Sequence, residues 1–341
     1  MGSLLSTILR GINRKDNDRL NILCVNEDEA FQALLARTGH NFFFLRHPQI
    51  RSWDVQIRPV PRNCYMLSGR DINDQLKGDL SFDLLLSQNR QTHYQLLSQL
   101  SKQMNCPIVS VNNELSAPDA NPYYVEALAN QEYNLNTYNS EFVCNSWGFD
   151  ISDEEVAVVD SAVDIELFSG WEGGDGTILS VADHFPQRDA ITGFSLWRQV
   201  AEGMPVNVLG NSPGFSVRPG ISDLIKHYKK ASVFFNTSSW QACPVALLEA
   251  MAVGCPIVTV PTTTIPDFIE DGVNGYMSND PDELKERLTE LLDNTDRATE
   301  LGRHARETAM EKFNPSRFAK EWSEVFTRTI DKSSCLVVSQ G

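Results

Sequence analysis

The chain has 341 residues, enough for about two domains with full cores, and its 41% hydrophobic and 22% charged content suits a water-soluble globular protein. A net charge of −16 opposes non-specific binding to nucleic acid, which basic surfaces hold through the phosphates. No run of about 18 apolar residues is present to span a bilayer, seven cysteines without a C-x-x-C pair read as reduced thiols of a cytoplasmic protein, and six histidines show no metal-ligand spacing.

Residues 1–17 form a basic amphipathic extension. Leu4, Leu5, Ile8, Leu9 and Ile12 fall on one helical stripe, with Arg10, Arg14 and Lys15 and no acid before Asp16. Such a segment can lie on an anionic membrane, making residues 1–15 a peripheral membrane contact, or pack on its own domain or a neighbouring subunit. Met1-Gly2 with Ser6 also fits a myristoylation pattern.

From Leu20 the pattern is α/β: residues 22–25 read as a strand, 29–37 as a helix and 42–45 as a second strand. Residues 48–80 hold prolines and short apolar pieces without a clear order. Residues 82–86 and 107–111 read as strands around a helix at 92–104. Further strands are expected at 178–181 and 205–209, and a helix from Asp223. Asp280, Pro281 and Glu283 supply an N-cap, a first-turn proline and an N3 glutamate, ahead of an apolar face of Leu284, Leu288, Leu291 and Leu292. A last helix starts at Asn314-Pro315 with Phe318, Trp322, Val325 and Phe326 at helical spacing, and the tail from Asp331 reads as disordered.

The most informative stretch is 233–260, VFFNTSSWQACPVALLEAMAVGCPIVTV. It reads as a buried strand, a polar turn at Asn236-Thr237-Ser238-Ser239, a helix entered through Pro244 and stopped by Gly254, and a second buried strand. A helix that starts just after a strand presents free N–H groups and a positive dipole end to an anion, usually a phosphate.

This stretch resembles the donor-binding core of retaining nucleotide-sugar glycosyltransferases of group 1 type, through Ser238, Pro244, Leu247-Leu248-Glu249-Ala250-Met251-Ala252, Gly254 and Pro256. The family motif places two glutamates eight positions apart; here the second is Glu249, but Gln241 stands for the first and Ala242 for a glycine. The resemblance extends to Ile265-Pro266-Asp267 through Gly275, where Thr263 and Thr264 replace the usual paired glycines, and more loosely to residues 20–330. It implies the GT-B architecture: two Rossmann-like domains facing a central cleft, with a C-terminal helix crossing back to the first domain. The expected division is an acceptor domain at 18–168, a donor domain at 169–313, a crossover helix at 314–330 and a tail at 331–341. Gly170, Gly173, Gly174 and Gly176 would make the joint flexible. Residues 141–146 resemble the strand that closes the first domain.

By the same resemblance, Glu249 would hold the ribose hydroxyls, while Ser238, Ala242, Pro244, Val245, Ala246 and Ile221 would line the donor. Gln241, Arg188 and Asn113 would be the catalytic groups. Arg188 would meet the diphosphate, although Asp183 stands where a second cation is usual, and Asn113 stands where a histidine is usual. The acidic Asn26-Glu27-Asp28-Glu29 replaces a Gly-rich loop after the first strand. A glutamine can orient sugar hydroxyls but cannot act as a carboxylate nucleophile. Gln241 therefore favours a same-face, retaining mechanism, or else a relative that keeps binding with weakened catalysis. As plain surface residues, Glu249 would be a solvated helix position, which its apolar neighbours oppose, and Arg188 an ordinary arginine.

A sugar-nucleotide epimerase would need an acid–base pair not seen here, a phosphorylase is usually longer, and a dehydrogenase would need G-x-G-x-x-G after a strand. The expected reaction is retaining hexosyl transfer from a nucleotide sugar in a cytoplasmic enzyme, without metal or cofactor. The acceptor, whether glycan, lipid-linked sugar, small molecule or modified base, is not legible, and strong nucleic-acid binding is not expected.

Overall fold

A computed structural model describes residues 19–48, 50–76, 80–116 and 121–339. The basic extension and its membrane contact lie outside the described residues. The chain divides into two units, Met1–Val159 with Ser316–Gly341, and Asp160–Pro315. Among the described residues no helix is long and apolar enough to cross a membrane.

Among the described residues the first unit holds seven parallel strands: β1 (Asn21–Cys24), β2 (Asn41–Phe44), β3 (Cys64–Met66), β4 (Leu84–Ser87), β5 (Ile108–Asn112), β6 (Leu135–Tyr138) and β7 (Val156–Val158). Their order is β3-β2-β1-β4-β5-β6-β7, so the sheet grows one way from β1 and then the other from β4. Strands such as β1, β2 and β4 are buried at every position. Near-continuous apolar runs are what a parallel sheet covered on both faces requires.

Polar side chains mark where the helices begin. Asp28 accepts from the N–H groups of Ala30 and Phe31 at 2.8 and 3.1 Å, which caps the Glu29–Leu35 helix. The Pro315–Ser339 helix returns to this unit and buries Phe318, Trp322, Val325 and Phe326. Phe31 meets Phe318 and Trp322 edge-on, with ring centroids 5.8 and 5.6 Å apart.

Two expectations are corrected here. Residues Glu141–Ser146 form a helix, because Ser140 accepts from the Val143 N–H at 3.1 Å and starts a turn that the β-prone Phe142 and Val143 would not suggest. The strand beside it is β6. The tail from Asp331 is helical as far as Ser339, since neither glycine nor proline follows Pro315 before Gly341 to stop the helix.

The second unit carries β8 (Ile178–Val181), β9 (Val206–Leu209), β10 (Val233–Asn236), β11 (Ile257–Thr259) and β12 (Tyr276–Met277), all parallel, in the order β12-β11-β10-β8-β9. Alternation along β10 sends Phe234 into a core with Tyr228, Leu247 and Met251, and Phe235 into another with Trp197, Leu284 and Leu288. The Pro281–Asp293 helix is capped by Asp280, as its sequence signals. Strand order reverses between β8 and β10. Open parallel sheets bind ligands outside the carboxyl ends of the strands at such a reversal, so the loops after these two strands are where a site is sought.

Candidate functional site

The loop after β8 touches the loop after β9. A Cβ on Gly210 would collide with the Ala182 carbonyl, so this approach requires glycine. The Asn211 N–H donates to Asp183 Oδ1 at 2.6 Å, and the Phe185 N–H donates to Ser212 Oγ at 2.8 Å. Asp183, at the position where the resemblance led to a cation being sought, is thus a strut between two loops.

The loop after β10 is fastened on two sides. On one, Thr237 Oγ1 donates to the Thr192 carbonyl at 3.0 Å and the Ser239 N–H donates to the Ile191 carbonyl at 2.9 Å. Gly193, at φ +66°, lets the chain pass against the Thr237 carbonyl. On the other side stand three successive threonines. Thr262 Oγ1 donates to the Ser238 carbonyl and Thr263 Oγ1 to the Gln241 carbonyl, each at 2.6 Å, and Thr264 Oγ1 donates to the Ala242 carbonyl. Thr263 holds φ +50°, a left-handed conformation costing a non-glycine residue about 1–3 kcal/mol.

The Val245–Val253 helix follows, and Gly254, left-handed at φ 93°, stops it. Pro244 is its N-cap and not its first helical residue: ψ of 107° keeps it extended while its carbonyl accepts from Leu247 and Leu248. The N–H groups of Val245 and Ala246 lead the helix and have no partner within it.

Every residue from Leu247 to Val253 is buried, Glu249 included, at 1% exposure. A buried carboxylate needs partners. Tyr228 Oη donates to Glu249 Oε2 at 2.9 Å, and Arg218 Nη2 lies 3.8 Å from the same oxygen. Burial first, and then the neighbouring Glu249, push the Tyr228 phenol well above its ordinary value, so it remains a donor. Burial likewise pushes the Cys243 thiol up to about 12, with Asp160 adding to it and a hydrogen bond to Ser161 opposing it.

The predicted site residues fall into four groups. Ser238, Gln241, Ala242, Pro244, Val245, Ala246 and Glu249 lie on one loop and the helix it enters. The Ser238 hydroxyl donates to Asn236 Oδ1 at 2.9 Å. Ile221 opens the Ile221–Lys230 helix behind Gly220, and that helix brings Tyr228 to Glu249. Arg188 is exposed at the start of the short Asp189–Thr192 helix. Asn113 belongs to the first unit, exposed just after β5. Sequence reasoning missed Arg218 and the role of Tyr228. The available signal was a lone cation shortly before Gly220, and an aromatic at helical spacing from Leu224.

Residues 208–308, which include Arg218, Gln241 and Glu249, match the family Glycosyl transferases group 1. Spore coat protein SA of Bacillus subtilis is 34% identical over 111 residues, 31% of this chain and 29% of that protein. Poly(ribitol-phosphate) alpha-N-acetylglucosaminyltransferase of Staphylococcus aureus is 30% identical over 94 residues, 27% of this chain and 19% of that protein. The chain spans a third or less of the length of these curated relatives. Among solved structures, HepE of Anabaena in complex with UDP and glucose superposes with a TM-score of 0.69 at 13% identity, covering 91% of this chain and 100% of that one. Sucrose-phosphate synthase of Thermosynechococcus elongatus gives 0.69 at 13% identity, over 92% and 100%. At such identity the likeness concerns the fold: two Rossmann-like α/β units in one chain, the GT-B architecture.

Proposed function

We propose that the protein transfers a hexosyl group from a nucleotide sugar to an acceptor, with retention of configuration and no metal or cofactor. The observation that carries this reading is the buried Glu249, placed one turn into a helix that begins after the strand-order reversal and lies within the matched residues 208–308. Its carboxylate oxygens accept the ribose hydroxyls of the donor. The leading N–H groups of Val245 and Ala246, with Arg218 or Arg188, take up charge that develops on the diphosphate. Gln241 orients sugar hydroxyls.

In the reaction the acceptor oxygen bonds to the anomeric carbon on the face the diphosphate leaves. The bond from that carbon to the β-phosphate oxygen breaks, and a phosphate oxygen takes the acceptor's proton. No side-chain nucleophile is required, which suits an amide at position 241.

The test is a panel of nucleotide sugars scored by thermal shift, followed by donor hydrolysis and transfer assays. A stabilising donor that is turned over supports the reading, and a flat panel refutes it. A donor that binds but is never consumed favours a binding protein with weakened catalysis, the second reading that Gln241 supports.

A further inference from the structure

Three hydroxyls on consecutive residues meet three carbonyls of one loop. Thr262, Thr263 and Thr264 follow Val260 and Pro261 beyond the carboxyl end of β11 and donate to the carbonyls of Ser238, Gln241 and Ala242. These carbonyls sit between β10 and the Val245–Val253 helix, where no ladder partner reaches them. Satisfying them is a structural service that water or glycine-rich backbone could also provide.

The middle threonine points to more. At φ +50° a β-branched side chain is disfavoured, and glycine would adopt this backbone without strain. Glycine has no hydroxyl, however. The chain thus bears a strained backbone at the one position whose hydroxyl holds the Gln241 main chain. The bond is made to the carbonyl, so it holds the main chain of residue 241 without using the side-chain amide.

We infer that Thr262, Thr263 and Thr264 form a hydroxyl latch that positions Gln241 for the donor's sugar, with Thr263 as the specificity-determining positioning residue. This rests on the proposed function, since it assigns Gln241 to the sugar and Glu249 to the nucleotide. The latch then governs recognition of the sugar and leaves the nucleotide to other residues. A purely structural loop clamp would affect both alike.

Binding of UDP and of UDP-glucose, measured by calorimetry on wild type, Thr263→Val and Thr263→Ser, separates these cases. Thr263→Val keeps the branched shape without the hydroxyl, and Thr263→Ser keeps the hydroxyl. Thr263→Val should weaken UDP-glucose by about three- to tenfold, the worth of a neutral hydrogen bond, while changing UDP by less than about twofold. Thr263→Ser should restore the wild-type ratio, which also answers any loss of fold in the valine variant. Equal weakening of both ligands, or no change in either, overturns the latch. Failure of wild type to bind either probe overturns it too, and is recognised as failure of the UDP-sugar reading beneath it because no variant is involved.

Discussion

Tyr228 and Glu249 are joined by a hydrogen bond of 2.9 Å from phenol to carboxylate, between two side chains that are both at most 1% exposed. The pair ties the helix after Gly220 to the helix after Pro244. Each helix follows a strand of the second sheet, so the bond holds the later part of one helix against the middle of the other.

The first prediction concerns this bond. Tyr228→Phe removes the donor and leaves Glu249 buried with less compensation, which should cost about 1.5–3 kcal/mol of stability. Thermal melts at neutral pH check it. An unchanged midpoint would mean that other partners carry the carboxylate.

Glu249→Ala should weaken nucleotide binding by about ten- to a hundredfold, the equivalent of one or more charge-assisted hydrogen bonds. Glu249→Gln, which keeps the volume, should show the same direction with less disturbance of the fold. Unaltered calorimetric affinity in both would remove Glu249 from the ribose.

The two arginines should separate in kinetics. Arg218 lies beside Glu249, so Arg218→Ala should weaken UDP more than uridine, by about tenfold, if its charge meets phosphate. Arg188→Ala should lower kcat and leave donor affinity nearly intact, because an exposed cation acting on the departing diphosphate is felt mainly in the transition state. A fall in affinity with unchanged turnover in the second variant would reverse that assignment.

Gln241→Glu tests the departure from the family motif. A working same-face transferase built around glutamine should lose turnover or change its preferred sugar, since an amide donor disappears. A relic disabled at this position alone should gain donor hydrolysis. Product analysis across several nucleotide sugars distinguishes the two.

Acid stability should follow His40. Its Nδ1 accepts from the Leu20 N–H at 3.2 Å, and burial lowers its pKa, with Asp83 opposing and Arg19 assisting. A folded-state pKa below the unfolded value of about 6.5 means that the unfolded chain binds the proton more tightly. Stability is therefore full above about pH 6.5 and declines as pH falls from there toward the lowered folded pKa. His40→Gln should flatten this part of the Tm–pH curve. A curve of unchanged slope would assign the acid loss to other groups.

The second unit was largely legible from sequence because its strands are short, mainly apolar runs, and because Asp280 and Gly254 are unambiguous helix ends. The first unit was less so. Strand β3 has three residues at the sheet edge with a mixed burial pattern, too little for periodicity to register. Within the site, Glu249 announced itself as an acid in an apolar helix. Asp183 did not reveal its role, because its partner N–H lies 28 residues away in another loop, and Arg218 and Glu249 are 31 positions apart. Local pattern carries element type well and says little about which loops meet.

The burial of the Val245–Val253 helix determines where a ligand's footprint can be read. Amides enclosed on every side exchange with deuterium only when the whole unit opens. From Leu247 to Val253 they should already be protected without donor, leaving little further slowing to observe. A bound nucleotide sugar should register instead at the loop before Pro244, at the leading amides of Val245 and Ala246, and around Thr262 to Thr264. Peptides for mass spectrometry should therefore be cut so that residues 237–246 are separated from 247–253. Pooled together, the rigid part would mask the responsive one.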